Sequence, residues 1–356
     1  MKTLKSISSL VLLAISIMFM SCTTDPIPGP PGADGLDGVD GVDGMDGING
    51  TTECATCHTI AHKEEIEGKF AMSGHGSMDG AWARGRSASC AQCHGSLGYV
   101  DYINNGAVSE AEGAYANTGV MNCKTCHDTH TTFDFENEGY DYALRNFDPV
   151  KLVIDEATII DFGGTSNNCI TCHQPRNSYP VPGGTGEVTI TSQRYGPHHG
   201  PQATMLQGIM AANLTGSTQY PAPGSATHRT GSSCVNCHMN EGTTEDNGSH
   251  TFNVSLNACT TCHENMTEIP DEINGFTADF KALEDLLLAK GYIGEDGYVK
   301  GPNGENASSS NPLVVSAQDA SAIWNYKTVY EDQSHGIHNP AYTRALLKNS
   351  IEALQN

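Results

Sequence analysis

The chain has 356 residues, enough for one large domain or two, yet only 38% are hydrophobic and 7% aromatic, with 39 glycines. That is poor material for a conventional interior of this size. With 41 acidic against 18 basic residues the net charge is -23, which disfavours nucleic acid and anionic lipid headgroups and suits cations or basic protein partners.

Residues 1–21 read as a bacterial export signal: Lys2 and Lys5 open it, and the apolar run Leu10 to Met20 is too short for an ordinary membrane span. It ends at Ser21-Cys22, and Cys22 is the one cysteine of 13 outside the motifs described below. A small residue before a lone cysteine resembles the lipobox of a lipoprotein, with Phe19 replacing the usual leucine, so Cys22 is the expected lipidation site. Its alternative is a simple cleaved signal. The expected location is the bacterial envelope, lipid-anchored at the outer membrane, facing either the periplasm or the outside.

The segment 22–53 changes composition. Glycine recurs at every third position from Gly29 to Gly50, with Asp34, Asp37, Asp40, Asp43 and Asp46 in phase. The period is that of collagen, but within the repeat proline is confined to Pro30 and Pro31. The segment reads as a flexible acidic tether, with a trimerising stalk as the alternative and a route to a homo-oligomer.

The tract that follows spells Cys-x-x-Cys-His six times: Cys54, Cys57, His58; Cys90, Cys93, His94; Cys123, Cys126, His127; Cys169, Cys172, His173; Cys234, Cys237, His238; and Cys259, Cys262, His263. The pattern attaches c-type haem, with both sulfurs bonded to the porphyrin and the histidine an axial ligand. Zinc sites have no reason to place histidine after every pair, and a disulfide framework does not keep one spacing. The expectation is six covalent haem c groups, whose apolar faces supply much of the interior, in a chain that does not fold without them. Motif starts are separated by 36, 33, 46, 65 and 25 residues. The two long gaps, 128–168 and 174–233, are rich in Gly, Pro, Asn and Thr and read as loops over haem edges, with Glu187–Thr191 the longest strand pattern. Short helices are expected at the motifs.

Beyond the last motif, Phe276, Phe280, Leu283 and Leu287 share one helical face ending near Gly291. A polar loop, 301–311, precedes a second helix over Ser316–Tyr330, with Ala317, Ala320, Ile323 and Trp324 inward. A third runs from Pro340 through Leu346 to Leu354. The domain plan is thus a six-haem domain, 54–270, and a C-terminal helical region, 271–356, packed on the haems.

Nine histidines lie outside the motifs: His62, His75, His130, His198, His199, His228, His250, His335 and His338. A distal ligand needs only a neutral nitrogen aimed at iron. His130 follows His127 by three residues on an expected helical turn, so it serves a neighbouring haem rather than its own. His75, His228 and His250 flank motifs. The pair His198-His199 offers one ligand, with His199 preferred, and of His335 and His338 the preferred one is His338. His62 reads as a bystander.

The stretches Ser73-Gly-His75, Cys126-His-Asp-Thr-His130, Gly196-Pro-His-His-Gly-Pro-Gln202, Gly248-Ser-His-Thr-Phe252 and Ser334-His-Gly-Ile-His-Asn-Pro-Ala-Tyr342 resemble segments of multihaem cytochromes c. That broad group contains pentahaem nitrite reductases, octahaem hydroxylamine oxidoreductases and non-catalytic carriers. The resemblance implies a mainly α fold with extensive loops and little β, cored by haem and closed by a C-terminal helical cap. It also implies distal ligation by His75, His130, His199, His228, His250 and His338. No Cys-x-x-Cys-Lys occurs, as a lysine-ligated catalytic haem would require, and the haem count matches neither enzyme. Electron transfer between a membrane or periplasmic donor and an external or periplasmic acceptor is the leading expectation, with no catalytic residue named. An alternative is an enzyme reducing small nitrogen or sulfur compounds at one open haem, with Arg84 and Arg86 as candidate cations or propionate partners. A third is a subunit of a polymeric conductor that shares ligands between copies.

Overall fold

The computed structural model describes residues 52–77, 88–109, 111, 113–115, 121–176, 180–197 and 199–356. The export signal, Cys22, the glycine-triplet segment, Arg84, Arg86 and His198 lie outside the described residues. Glu53–Asn356 holds together as one unit.

The first part of the chain forms α1 (Thr52–Cys57), α2 (Ile60–Met72), α3 (Ala88–His94), α4 (Ser96–Asn105), α5 (Cys123–Cys126) and α6 (Phe135–Glu138). The antiparallel pair β1 (Val150–Lys151) and β2 (Ile159–Ile160) comes next, followed by α7 (Asn167–Ile170). Then come β3 (Glu187–Ile190), α8 (Gln202–Gln207), α9 (Thr227–Gly231), α10 (Ser233–His238) and α11 (Leu256–Thr260). The chain closes with α12 (Phe276–Ala289), β4 (Leu313–Ser316), α13 (Ala317–Asp332) and α14 (Pro340–Gln355).

The six motifs begin in six of these short helices, α1, α3, α5, α7, α10 and α11. Cys-x-x-Cys-His is one helical turn, which sets both sulfurs on one side and the histidine at its end. The backbone shows this directly: the N–H groups of His58, His127, His173 and His263 donate to the carbonyls of Cys54, Cys123, Cys169 and Cys259 at 2.9–3.0 Å. Helix α4 packs closely on α3 because Gly98 faces Ala91, where an added Cβ would lie 2.5 Å from the alanine methyl.

The C-terminal helices match their periodicity, with α13 running two residues past the expected end. Ser316 caps α13 by accepting from Asp319 N–H, and Asn339 caps α14 by accepting from Tyr342 N–H, with Pro340 in the first turn. Trp324, Tyr326, Leu283, Leu287, Tyr342 and Leu346 form a buried cluster that also takes in Ile190, Tyr195, Met205, Ala211 and Ala212. Two expectations change here. This part has a side-chain interior of its own, and the gap 174–233 is not only loop. Strand β3 pairs antiparallel with β4, from Glu187↔Ser316 to Ile190↔Leu313, and so ties the gap into the C-terminal core. Its buried positions are too widely spaced among Gly, Pro and Thr to show a period. A smaller cluster, Val150, Leu152, Ile160, Ile170 and Ala203, sits beside the fourth motif.

Candidate metal centres

Five motif imidazoles each face a non-motif imidazole. Ring centroids are 6.0 Å apart for His58 and His130, 6.2 Å for His127 and His250, 6.0 Å for His75 and His173. They are 6.4 Å apart for His238 and His338, and 6.3 Å for His228 and His263. A metal held between two imidazoles, about 2.0 Å from each nitrogen and about 1.1 Å further from each ring centre, sets the centroids about 6.2 Å apart. The same spacing recurs in pairs with interplanar angles from 32° to 81°.

The far side of most of these rings is held. Nδ1 of His127 bonds Tyr142 O at 2.8 Å, that of His228 bonds Ile337 O at 2.5 Å, and that of His238 bonds Phe252 O at 2.9 Å. Carboxylates hold two others: His130 Nδ1 lies 2.5 Å from Asp141 Oδ1, and His338 Nδ1 lies 2.7 Å from Asp332 Oδ1. Gln202 Oε1 stands 3.3 Å from His173 Nδ1, and Ser249 Oγ 3.3 Å from His250 Nδ1. A ring anchored through Nδ1 presents Nε2 with its lone pair, the form that binds metal.

Protonation agrees with that role. Burial pushes His75 and His250 down to about 4, with the facing rings adding to the effect, and burial also lowers His173 and His238. These rings are neutral at pH 7. His338 goes the other way: burial opposes its charge, but the Asp332 carboxylate overcomes burial and raises it.

Among the described residues no three His, Cys, Asp or Glu side chains converge as a bare-ion site requires. Two imidazoles at this spacing would supply only two ligands to an iron. A haem c would bring its remaining ligands itself, and the two cysteines before each motif histidine would hold it. The residues therefore fit haem c.

Motifs distant in sequence touch. The Cys93 and Cys172 thiols, which stand in for thioether sulfurs, lie beside one another and influence each other's ionisation, as do those of Cys169 and Cys234. Tyr99 donates to Asn168 Oδ1 at 2.7 Å, joining α4 to α7, and Val235 N–H donates to Ser166 Oγ at 3.2 Å. The Ser96 and Thr125 hydroxyls bond across α4 and α5.

His130 is reached differently from expectation. Helix α5 stops at Cys126 because His127 turns extended and bridges Leu144, so 127–130 is not a helical turn. His199 adopts a left-handed φ of 44° and sets Nδ1 2.7 Å from Glu331 Oε2. His335 bonds Asp271 O at 2.9 Å and lies on the Phe276 ring, while His62 sits on α2 near His250. The anchors Asp141, Glu331 and Asp332 carry no sequence signal among 41 acidic residues. Phe252 is a further residue to which sequence reasoning gave no role: its ring packs on His75 at 4.6 Å and its carbonyl holds His238.

A family model described as outer membrane cytochrome MtrC/MtrF-like, domains II/IV, matches residues 36–138, which include the first three motifs and His130. No curated protein matches the chain. Among solved structures, the crystal structure of the outer cell wall cytochrome OcwA aligns with a TM-score of 0.50 at 19% identity, over 81% of this chain. The alignment covers 50% of OcwA, so this chain matches half of that cytochrome's length. The shared fold is that of a multihaem cytochrome, mainly helical with long loops.

Proposed function

We propose that this multihaem c-type cytochrome binds six haems, each closed by two histidines, and passes electrons among them at the outer envelope. The observation that carries the reading is the set of five imidazole pairs 6.0–6.4 Å apart. Their assignment follows: His130 opposite His58, His250 opposite His127, His75 opposite His173, His338 opposite His238, and His228 opposite His263. For His94 we assign His199. Its neighbour Gly200 comes so close to the Cys172 carbonyl that a Cβ would lie 3.2 Å away, and Cys172 touches Cys93.

Haem c supplies a one-electron iron couple. The residues place such groups near one another: His127 and His130, three residues apart, belong to the third and first centres. Contacts from Cys172 to Cys93 and from Cys169 to Cys234 make the fourth motif a junction joining the second and fifth. Paired imidazoles leave no site for a small substrate, which favours transfer over catalysis. The likeness to outer membrane and outer cell wall cytochromes supports an external or cell-wall acceptor. Lipidation at Cys22 and the tether 22–53 suit that location.

The test is a haemochrome count with electron paramagnetic resonance on pure protein. Six haems, all low-spin, are expected, and His130→Ala converts one to high-spin. Fewer than six, or a native high-spin fraction that shifts with nitrite or hydroxylamine, overturns the reading.

A further inference from the structure

The five centres share one ligand set but not one set of anchors. His250, its facing ring His127, and His228 bond only neutral oxygens, of Ser249, Tyr142 and Ile337. His338 and His130 bond carboxylates. Asp332 is buried to 2% exposure at its side chain and accepts otherwise from the Ser334 hydroxyl. Asp141 is 11% exposed and accepts also from Ala143 N–H and from the Thr131 N–H and hydroxyl, which disperse its charge.

We infer that Asp332 and Asp141 are tuning residues: they lower the one-electron potentials of the irons at His338 and His130 below those at His250 and His228. The inference rests on the bis-histidine reading above. A carboxylate accepting the Nδ1 proton gives the ring partial imidazolate character and makes Nε2 a stronger donor, which favours ferric over ferrous iron. Low dielectric around Asp332 strengthens the effect, and the extra donors on Asp141 weaken it. Reduction adds one electron to iron, while the Nδ1 proton stays shared and no bond is made or broken. Because His238 and His338 belong to the fifth motif and His58 and His130 to the first, the relay has an uneven potential profile. Helix α13 sets part of it, since its last residues, Glu331 and Asp332, hold His199 and His338, and their carbonyls take Gln202 Nε2 at 3.1 and 3.4 Å.

The test compares full-length holoprotein with Asp332→Asn and Asp141→Asn by redox titration followed by electron paramagnetic resonance. In Asp332→Asn one low-spin centre is expected to gain about tenfold in its reduction equilibrium, which is about 59 mV upward for a one-electron couple. Asp141→Asn moves a different centre in the same direction by less. Unchanged potentials with all centres low-spin in both variants overturn the inference and leave ligation standing. A high-spin signal in the variants overturns it too, by reducing the carboxylates to supports for ring position. Native protein without low-spin haem fails the ligation reading instead.

Discussion

The stretch 54–147 and the C-terminal helices hold themselves together by different means. Among its described residues the first buries few hydrophobic side chains, Ala91, Tyr99 and Tyr115, and leaves Ile60, Phe133, Tyr140 and Tyr142 at least half exposed. The second buries Trp324, Tyr326, Tyr342 and five leucines in one cluster with residues 190–212. A helix of four to seven residues is far below the length that stands alone in water, so the motif helices depend on what they are tied to. The contrast says that covalent cofactor takes the place of side-chain packing in one region only.

The strongest way to break that contrast is to withhold haem. In protein made without haem attachment, amides of 54–147 should exchange freely while those of α13 and α14 stay protected, as hydrogen exchange with mass spectrometry would show. Equal exchange throughout would mean that the C-terminal core also depends on haem.

Acid sharpens the comparison from the side of the ligands. His75 and His250 are held down to about 4, below the ordinary 6.5 of a free chain. Their depressed values make stability full above about 6.5 and let it fall as the pH drops toward 4, since the unfolded chain takes protons first. Low-spin absorption should therefore persist through pH 6.5 and give way to high-spin nearer 4. Loss of the low-spin bands already at 6.5 would place these rings in water.

Substitution in the C-terminal core should cost what an ordinary core costs. Trp324 is fully buried with its indole N–H on Met210 O at 3.2 Å, and Trp324→Ala is expected to lower stability by about 3–5 kcal/mol in denaturant unfolding. Haem content should be unchanged. Asn325 is a smaller case: it accepts from Ala212 N–H and donates to Ala212 O, both at 2.8 Å, and donates to Ser350 Oγ at 3.0 Å. Asn325→Ala strands those buried groups, for about 1–3 kcal/mol in the same assay. A negligible loss would show that water replaces the amide.

Legibility in the sequence followed the same divide. The six motifs could be read because porphyrin attachment demands a fixed local spacing, and α12, α13 and α14 because their apolar residues recur with the helical period. Strand β4 could not, being four residues after a polar loop, nor could the burial of Tyr195 and Met205 among glycines and prolines. His130 shows the limit well: its closeness to His127 was visible, but its position opposite His58 came from an extended turn set by the His127–Leu144 bridge.

What the sequence determined by itself was therefore everything that local covalent chemistry and helical periodicity require: six one-turn motifs, an acidic chain, and three closing helices. Tertiary structure alone decided which imidazole meets which, across separations such as His75 to His173 and His238 to His338, and which oxygen steadies each ring. The physical reason is that an iron constrains only the nitrogen in front of it. Any neutral histidine will serve, so the choice among nine passes to the backbone that brings one of them within reach.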